Sequence, residues 1–114
     1  MKLINTTANV VLAQQVEPAK TIIKRLVGLL GRASLAKDAT LYIEPCQQVH
    51  TCFMRFTMDA LFVDAGGEVL KVVHSMKPWR FSPWVHGALG VYEFADGVLA
   101  GKVKEGDTVR LTEE

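Results

Sequence analysis

His50-Thr-Cys-Phe-Met-Arg-Phe-Thr-Met-Asp59 sets an imidazole, a thiol, a guanidinium and a carboxylate into a run otherwise suited to the interior of a sheet. The alternation carries on through Ala60-Leu-Phe-Val-Asp64. Successive side chains of a strand point to opposite faces. Cys52, Met54, Phe56, Met58, Ala60 and Phe62 therefore share one face, the expected core side, and Thr51, Phe53, Arg55, Thr57 and Asp59 share the other. One strand through the whole stretch would be unusually long. The pattern instead predicts strands at Thr51–Phe56 and Asp59–Asp64 with a kink or bulge near Thr57. In a straight strand Arg55 and Asp59 would stand about 13 Å apart, at roughly 3.3 Å per residue. A bulge at 56–58 would shorten that gap enough for an ion pair. Buried charge is costly unless paired, so two readings stay open: a salt bridge that pins the kink, or an arginine that faces a ligand.

Outward from this stretch, short apolar runs predict further strands at Lys2–Asn5, Asn9–Gln15, Thr40–Glu44, Gly90–Phe94 and Asp107–Leu111. Ala65-Gly-Gly reads as a tight hairpin turn into the β-branched run Glu68–His74. One segment has helical periodicity: Ile22, Ile23, Leu26, Leu29 and Leu30 form a stripe, opposite Lys20, Lys24, Arg25 and Arg32, and Gly31 is the natural stop. Asp96 is placed to cap a second, short helical turn near 96–101. The expected fold is a single α+β domain over residues 1–114. Its sheet would be compact, curled, barrel-like and mainly antiparallel, with one main helix near 19–31.

Composition narrows the function classes. At 114 residues, 49% hydrophobic and 22% charged, the chain can bury one core and is not a disordered segment. A formal net charge of +1 gives no basic footprint of the kind nucleic acid demands, so no nucleic-acid partner is expected. The basic residues of the helical segment read as its solvated face. No apolar run is long enough to span a bilayer, and Met1-Lys-Leu-Ile-Asn-Thr-Thr7 carries no apolar targeting segment. The expectation is a cytoplasmic monomer without a membrane partner, with Cys46 and Cys52 as thiols.

Cys46, His50 and Cys52 are zinc-type ligands, but their spacing matches no common zinc module, and neither metal nor cofactor is expected. A cysteine nucleophile partnered by His50 would lack an orienting third group. Lys77-Pro-Trp-Arg-Phe-Ser-Pro-Trp84 gathers both tryptophans, Arg80, Phe81 and two prolines into one ordered loop. Such a loop either recognises a sugar or peptide through stacking or covers an open end of the sheet. His86 beside Gly87 reads as a solvated loop residue. Glu93 alternates with Tyr92 and Phe94 in a strand. The candidate binding residues are His50, Arg55, Asp59, Trp79, Arg80, Trp84 and Glu93, around a pocket between segment 50–59 and loop 77–84. The function expected first is a non-catalytic module that binds a small molecule. The alternatives are a protein-interaction module using loop 77–84, or an enzyme acting on a small, carbohydrate-like substrate. In the last case Asp59 or Glu93 would be the acid or base and His50 the proton carrier. The residues do not decide for or against catalysis.

Taken together these motifs resemble DUF192, a widespread prokaryotic family of small domains of unknown function. The resemblance runs from Lys20 to Leu111. It rests on Arg25-Leu-Val-Gly-Leu-Leu-Gly-Arg32, on Pro45-Cys46 followed by Val49-His-Thr51, and on Phe53-Met-Arg-Phe-Thr-Met-Asp-Ala-Leu-Phe-Val-Asp64. Pro78-Trp-Arg80, Val91-Tyr-Glu-Phe-Ala-Asp-Gly97 and Gly106-Asp107 continue the pattern in order. It implies a compact, mainly β domain with a helix laid against it, and no activity. Relatives usually carry a proline where this chain has Thr57. Many also begin with an export signal or lipid anchor, so localisation is the family property that transfers least.

Overall fold

The computed structural model describes residues 1–19, 35–52 and 54–113. These form β1 (Lys2–Asn5), β2 (Val10–Ala13), β3 (Gln15–Ala19), β4 (Ala39–Ile43), β5 (Met58–Val63), β6 (Val69–Met76), β7 (Gly90–Ala95) and β8 (Val109–Thr112). They make two sheets, one of three strands in the order β2-β1-β8 and one of five in the order β3-β4-β7-β5-β6. β3 runs parallel to β4, and every other pairing is antiparallel.

The α+β expectation is corrected here. The described residues are all β, in two open sheets rather than one curled, barrel-like one. Gln14 is the reason for the split. It interrupts the apolar run that predicted a single strand over Asn9–Gln15, and the amides of Gln14 and Gln15 both donate to the Asp38 carbonyl, at 2.7 and 3.1 Å. The chain thereby crosses from the small sheet to the large one. The short helix expected at 96–101 is a chain of turns. Val98 donates to the Ala95 carbonyl and Lys102 to that of Leu99, but Gly97 and Gly101 sit at φ 82° and 72° and stop any helix from propagating. The main helix expected near 19–31 lies, from residue 20 on, outside the described residues. Pro18 and Ala19, read as its start, are in β3. Nor do the described residues of Thr51–Phe56 form a strand: His50 makes one isolated bridge to Phe81 and the chain then turns, with the Met54 amide on the Thr51 carbonyl.

The β5–β6 hairpin does form as its composition predicts. Asp64 Oδ1 accepts the amides of Gly66 and Gly67's neighbour Glu68, both at 2.9 Å. Gly67 holds φ 87°, and a Cβ there would stand 2.5 Å from the Val109 carbonyl oxygen, so the approach of β8 requires glycine.

Two apolar clusters line the faces of the five-stranded sheet. Leu3, Leu12 and Val109 of the small sheet meet Tyr42, Leu61, Val63, Tyr92 and Phe94 in the inter-sheet core. On the other face Leu41, Ile43, Met58, Ala60, Phe62 and Val91 are covered by Val49, Met54, Val85 and Ala88 from the connecting segments. Every residue of β5 and β7 is buried for that reason. A sheet covered on both sides loses the polar-out alternation that marks a half-exposed one.

Candidate functional site

Segments 46–51 and 79–89 are hydrogen-bonded to each other along most of their length. The amides of Cys46, Thr51, Ser82 and Val85 donate to the carbonyls of Leu89, Arg80, Val49 and Gln47, at 2.7–2.9 Å. Two buried hydroxyls complete the join. Thr51, fully buried, donates from Oγ1 to the Lys77 carbonyl at 2.6 Å and accepts the Arg80 amide at 2.9 Å, while its carbonyl accepts the Trp79 amide. Ser82 Oγ accepts the Val49 amide and donates to the Pro83 carbonyl, and Gln48 Nε2 donates to the Ser82 carbonyl. Polar groups that water would otherwise satisfy are thus consumed internally, which fixes the loop.

Beside the exposed Gln47, Gln48, His50 and Arg80, this join turns three large aromatic side chains outward. Trp79 is 57% exposed, Phe81 68% and Trp84 62%. Trp79 is also held at φ 64°, a left-handed conformation unusual for a bulky residue. Such a conformation costs about 1–3 kcal/mol and persists only where the surroundings enforce it. Thr51, which accepts the amide of Trp79 and that of Arg80, does the enforcing. The exposed His50 ring lies 5.8 Å from that of Phe81. Arg80 Nη1 lies 3.3–3.4 Å from the carbonyls of Trp79 and Pro78, at the long end of hydrogen bonding.

The direct pairing of the two backbones therefore sets His50 beside Phe81, on the same hydrogen-bonded loop that carries Trp79, Arg80 and Trp84. Asp59 and Glu93 do not join them. Asp59 is fully buried, its Oδ1 accepting the Ser75 amide at 2.8 Å and its Oδ2 the Leu99 amide at 3.0 Å. Its cross-strand neighbour Phe94 belongs to the inter-sheet core. Glu93, also buried, pairs with Leu41 and Ala60, which belong to the opposite face. Asp59 and Glu93 thus point to opposite sides of the sheet and do not converge as an acid–base pair. The segment that carries the exposed Arg55 covers the Glu93 side, through Met54 and Phe56. Cys46 and Cys52 are thiols, partly buried, and Cys46 Sγ lies 3.2 Å from the Gln48 carbonyl. Among the described residues no three His, Cys, Asp or Glu side chains converge as metal ligands. Among the described residues there is no helix long and apolar enough to cross a membrane.

Sequence reasoning missed Thr51 and Ser82 as the residues that set the loop, because neither hydroxyl stands out in its local sequence. It also missed a cleft of about 570 Å³ between the sheet ends, whose lining includes Tyr42, Glu44, Gly67, Tyr92 and Arg110. The two tyrosine rings pack at 4.4 Å between centroids, tilted by 34°. The Tyr42 hydroxyl donates to Glu44 Oε1 at 2.6 Å. Gly90 makes room for this phenol, since a Cβ there would stand 2.5 Å from its oxygen. Burial first, then the hydrogen bond to Glu44 and its charge, push the Tyr42 phenol far above the ordinary range. Burial and the Glu44 charge push Tyr92 up to about 12. Near neutral pH both phenols are donors and not bases.

A family model for DUF192, described as "Uncharacterized ACR", matches residues 3–111. The chain belongs to the DUF192 family. A UPF0127 protein of Pyrococcus furiosus is 29% identical over 111 residues, which cover 92% of this chain and 93% of that protein. Another, from Thermococcus sibiricus, is 31% identical over 102 residues, covering 85% of this chain. The match spans only 65% of the Thermococcus protein's own length. Among solved structures, a protein of unknown function from Novosphingobium aromaticivorans superposes with a TM-score of 0.82 at 21% identity, covering 96% of this chain and 82% of that one. A Sinorhizobium meliloti protein, named for a proposed role in transcription regulation, does so with a TM-score of 0.78 at 19% identity, covering 96% and 89%. At such identities the shared property is the fold. DUF192 remains a family of unknown function, and these relatives add no activity to it.

Proposed function

We propose that this DUF192 domain is a non-catalytic binding module whose recognition surface is the ridge of Trp79, Arg80, Phe81 and Trp84, flanked by His50. The observation that carries this reading is the exposure of three large aromatic side chains on a loop held rigid from beneath by Thr51 and Ser82. Exposed apolar clusters on a small domain are uncommon without a partner, and Trp and Arg recur where partners are gripped. A loop already ordered before binding forfeits little entropy on contact. The separation of Asp59 from Glu93 by the sheet favours binding over the acid–base alternative. The ligand enclosure expected between segment 50–59 and loop 77–84 becomes an open surface in this reading, since the two segments pair with each other.

Both tryptophans of the chain lie in this loop, so tryptophan emission, excited at wavelengths that tyrosine does not absorb, reports on this surface. The test is a titration of wild type and of Phe81→Ser with saccharides, organic acids, peptides and lipid vesicles. A partner that shifts the wild-type emission and loses at least tenfold in affinity for the folded variant supports the reading. Emission that never responds, or a response that Phe81→Ser leaves intact, refutes it.

A further inference from the structure

We infer that the partner of the ridge is the surface of an anionic lipid bilayer, on which Trp79, Phe81 and Trp84 seat at headgroup depth while Lys77 and Arg80 meet the lipid charge; this rests on the binding-surface reading above.

The first support is a partition of charge that the net value conceals. The chain has 12 acidic residues, and none lies in 45–58 or 69–92. Those two tracts hold Arg55, Lys71, Lys77, Arg80 and all three histidines. Lys71 is within 3.8 Å of Glu105, whereas Lys77 lies two residues before Trp79 and Arg80 directly after it. The ridge is thus locally cationic on a chain of net charge +1. Juxtaposed basic residues are drawn to anionic headgroups, each adding to the attraction.

The second support is what the ridge does not offer. A saccharide needs hydroxyl, amide or carboxylate partners for its own hydroxyls. Here the Thr51 and Ser82 hydroxyls are turned inward onto backbone groups, Gln48 Nε2 is engaged by the Ser82 carbonyl, and no carboxylate lies in 45–58 or 69–92. An added peptide strand needs open backbone groups. The amides of Thr51, Trp79, Arg80, Ser82 and Val85 are already taken. What the loop itself exposes is the ring surface of Trp79, Phe81 and Trp84 together with Lys77 and Arg80. Tryptophan prefers the membrane–water interface for that combination of flat apolar area and one polar edge. Shallow insertion of aromatic groups with basic ones beside them is how a protein lies on a bilayer without spanning it. The lack of a spanning segment, from which no membrane partner was expected, does not bear on such attachment. A dense polyanion such as single-stranded nucleic acid would call for more cations than Lys77 and Arg80 supply.

The experiment is co-sedimentation of the whole domain with vesicles of phosphatidylcholine alone and with about one third phosphatidylglycerol, read together with tryptophan emission. Wild type is expected to pellet with the anionic vesicles at least tenfold more strongly, with an emission blue shift that 0.5 M salt weakens. Phe81→Ser/Trp84→Ser should abolish pelleting, and Lys77→Glu/Arg80→Glu should reduce it at least tenfold. Unchanged thermal midpoints would certify both variants as folded. Equal pelleting with both vesicle types, or pelleting that survives the aromatic double variant, overturns the inference. So does no pelleting at all. In that case an emission response to a soluble saccharide or peptide would leave the binding-surface reading standing, and silence toward every ligand would remove both.

Discussion

The β5–β7 pair and the 46–51/79–89 join are both antiparallel backbone ladders, yet they dispose of their side chains in opposite ways. In β5 and β7 every residue is buried, and the Asp59 carboxylate accepts two backbone amides. In the join the polar side chains Thr51 and Ser82 turn inward and three aromatic rings turn out. The first arrangement lowers the free energy of the folded chain. The second forgoes apolar burial that the same rings would have contributed to a core, and strains Trp79 besides. This disposition of hydroxyls and aromatic rings is the ground of the binding-surface proposal.

Substitution tests this contrast directly. The largest loss should come from Phe62→Ala or Phe94→Ala, both fully buried, at about 3–5 kcal/mol in chemical denaturation. A loss under about 1 kcal/mol would mean that the sheet is not packed on both faces. Next comes Asp59→Ala, which strands the amides of Ser75 and Leu99 and should cost about 3 kcal/mol; Asp59→Asn, which restores one acceptor, should recover part of it. Equal losses for the two would show that the charge, and not the hydrogen bonds, matters at this position. Thr51→Val removes the hydroxyl under Lys77 and Arg80 and should cost about 1–2 kcal/mol, with faster hydrogen exchange at the amides of Trp79 and Arg80. Unchanged exchange would place the constraint on the loop elsewhere. At the bottom of the scale, Phe81→Ser and Trp84→Ser should each move stability by less than about 0.5 kcal/mol, because their rings are already in water. A large loss from either would make the ridge structural and end the contrast.

The inter-sheet cleft sharpens it through pH. Tyr42 and Tyr92, the two tyrosines of the chain, have phenols raised above the ordinary value near 10. The unfolded chain therefore releases these protons first as pH climbs. Their contribution is intact below pH 10 and falls away between 10 and the folded value, about 12 for Tyr92. The thermal midpoint should decline over that window, and phenolate absorbance should appear together with unfolding, not before it. Phenolate growth near pH 10 in the folded protein would show that the cleft is solvated. At the acid end Asp107 behaves conversely. The Asn5 side-chain amide, at 2.9 Å, is the main influence holding its carboxyl below the usual value of 3.8. Its stabilisation is present above that value and lost as pH falls through the lower folded one.

Strand positions were legible because each of β1, β4, β5, β6, β7 and β8 is a short apolar run ended by a local turn or breaker such as Pro45 or Gly66-Gly67. The family was legible for the same reason: its motifs are contiguous. Of the candidate site, Trp79, Arg80 and Trp84 were found because they cluster in sequence. Asp59 and Glu93 were grouped with them because alternation gives the phase of a residue and not the side of the sheet that the phase faces. Gln14 looked like a tolerable polar residue in a strand, and nothing local says that Asp38 will capture its amide and divide the sheet there.

By itself, then, the sequence determined where chain runs extended, where it turns and which family it belongs to, since propensity, glycine and proline act over a few residues. Only tertiary structure decided that there are two sheets and not one, that both faces of β5 and β7 are buried, and that Thr51 lies beneath Trp79. Those outcomes depend on hydrogen bonds between segments 24 to 102 residues apart, such as Gln14 to Asp38 and Asn5 to Asp107. The free energy that selects such partners comes from burial and amide satisfaction summed over the whole domain, and no single stretch of the chain encodes it.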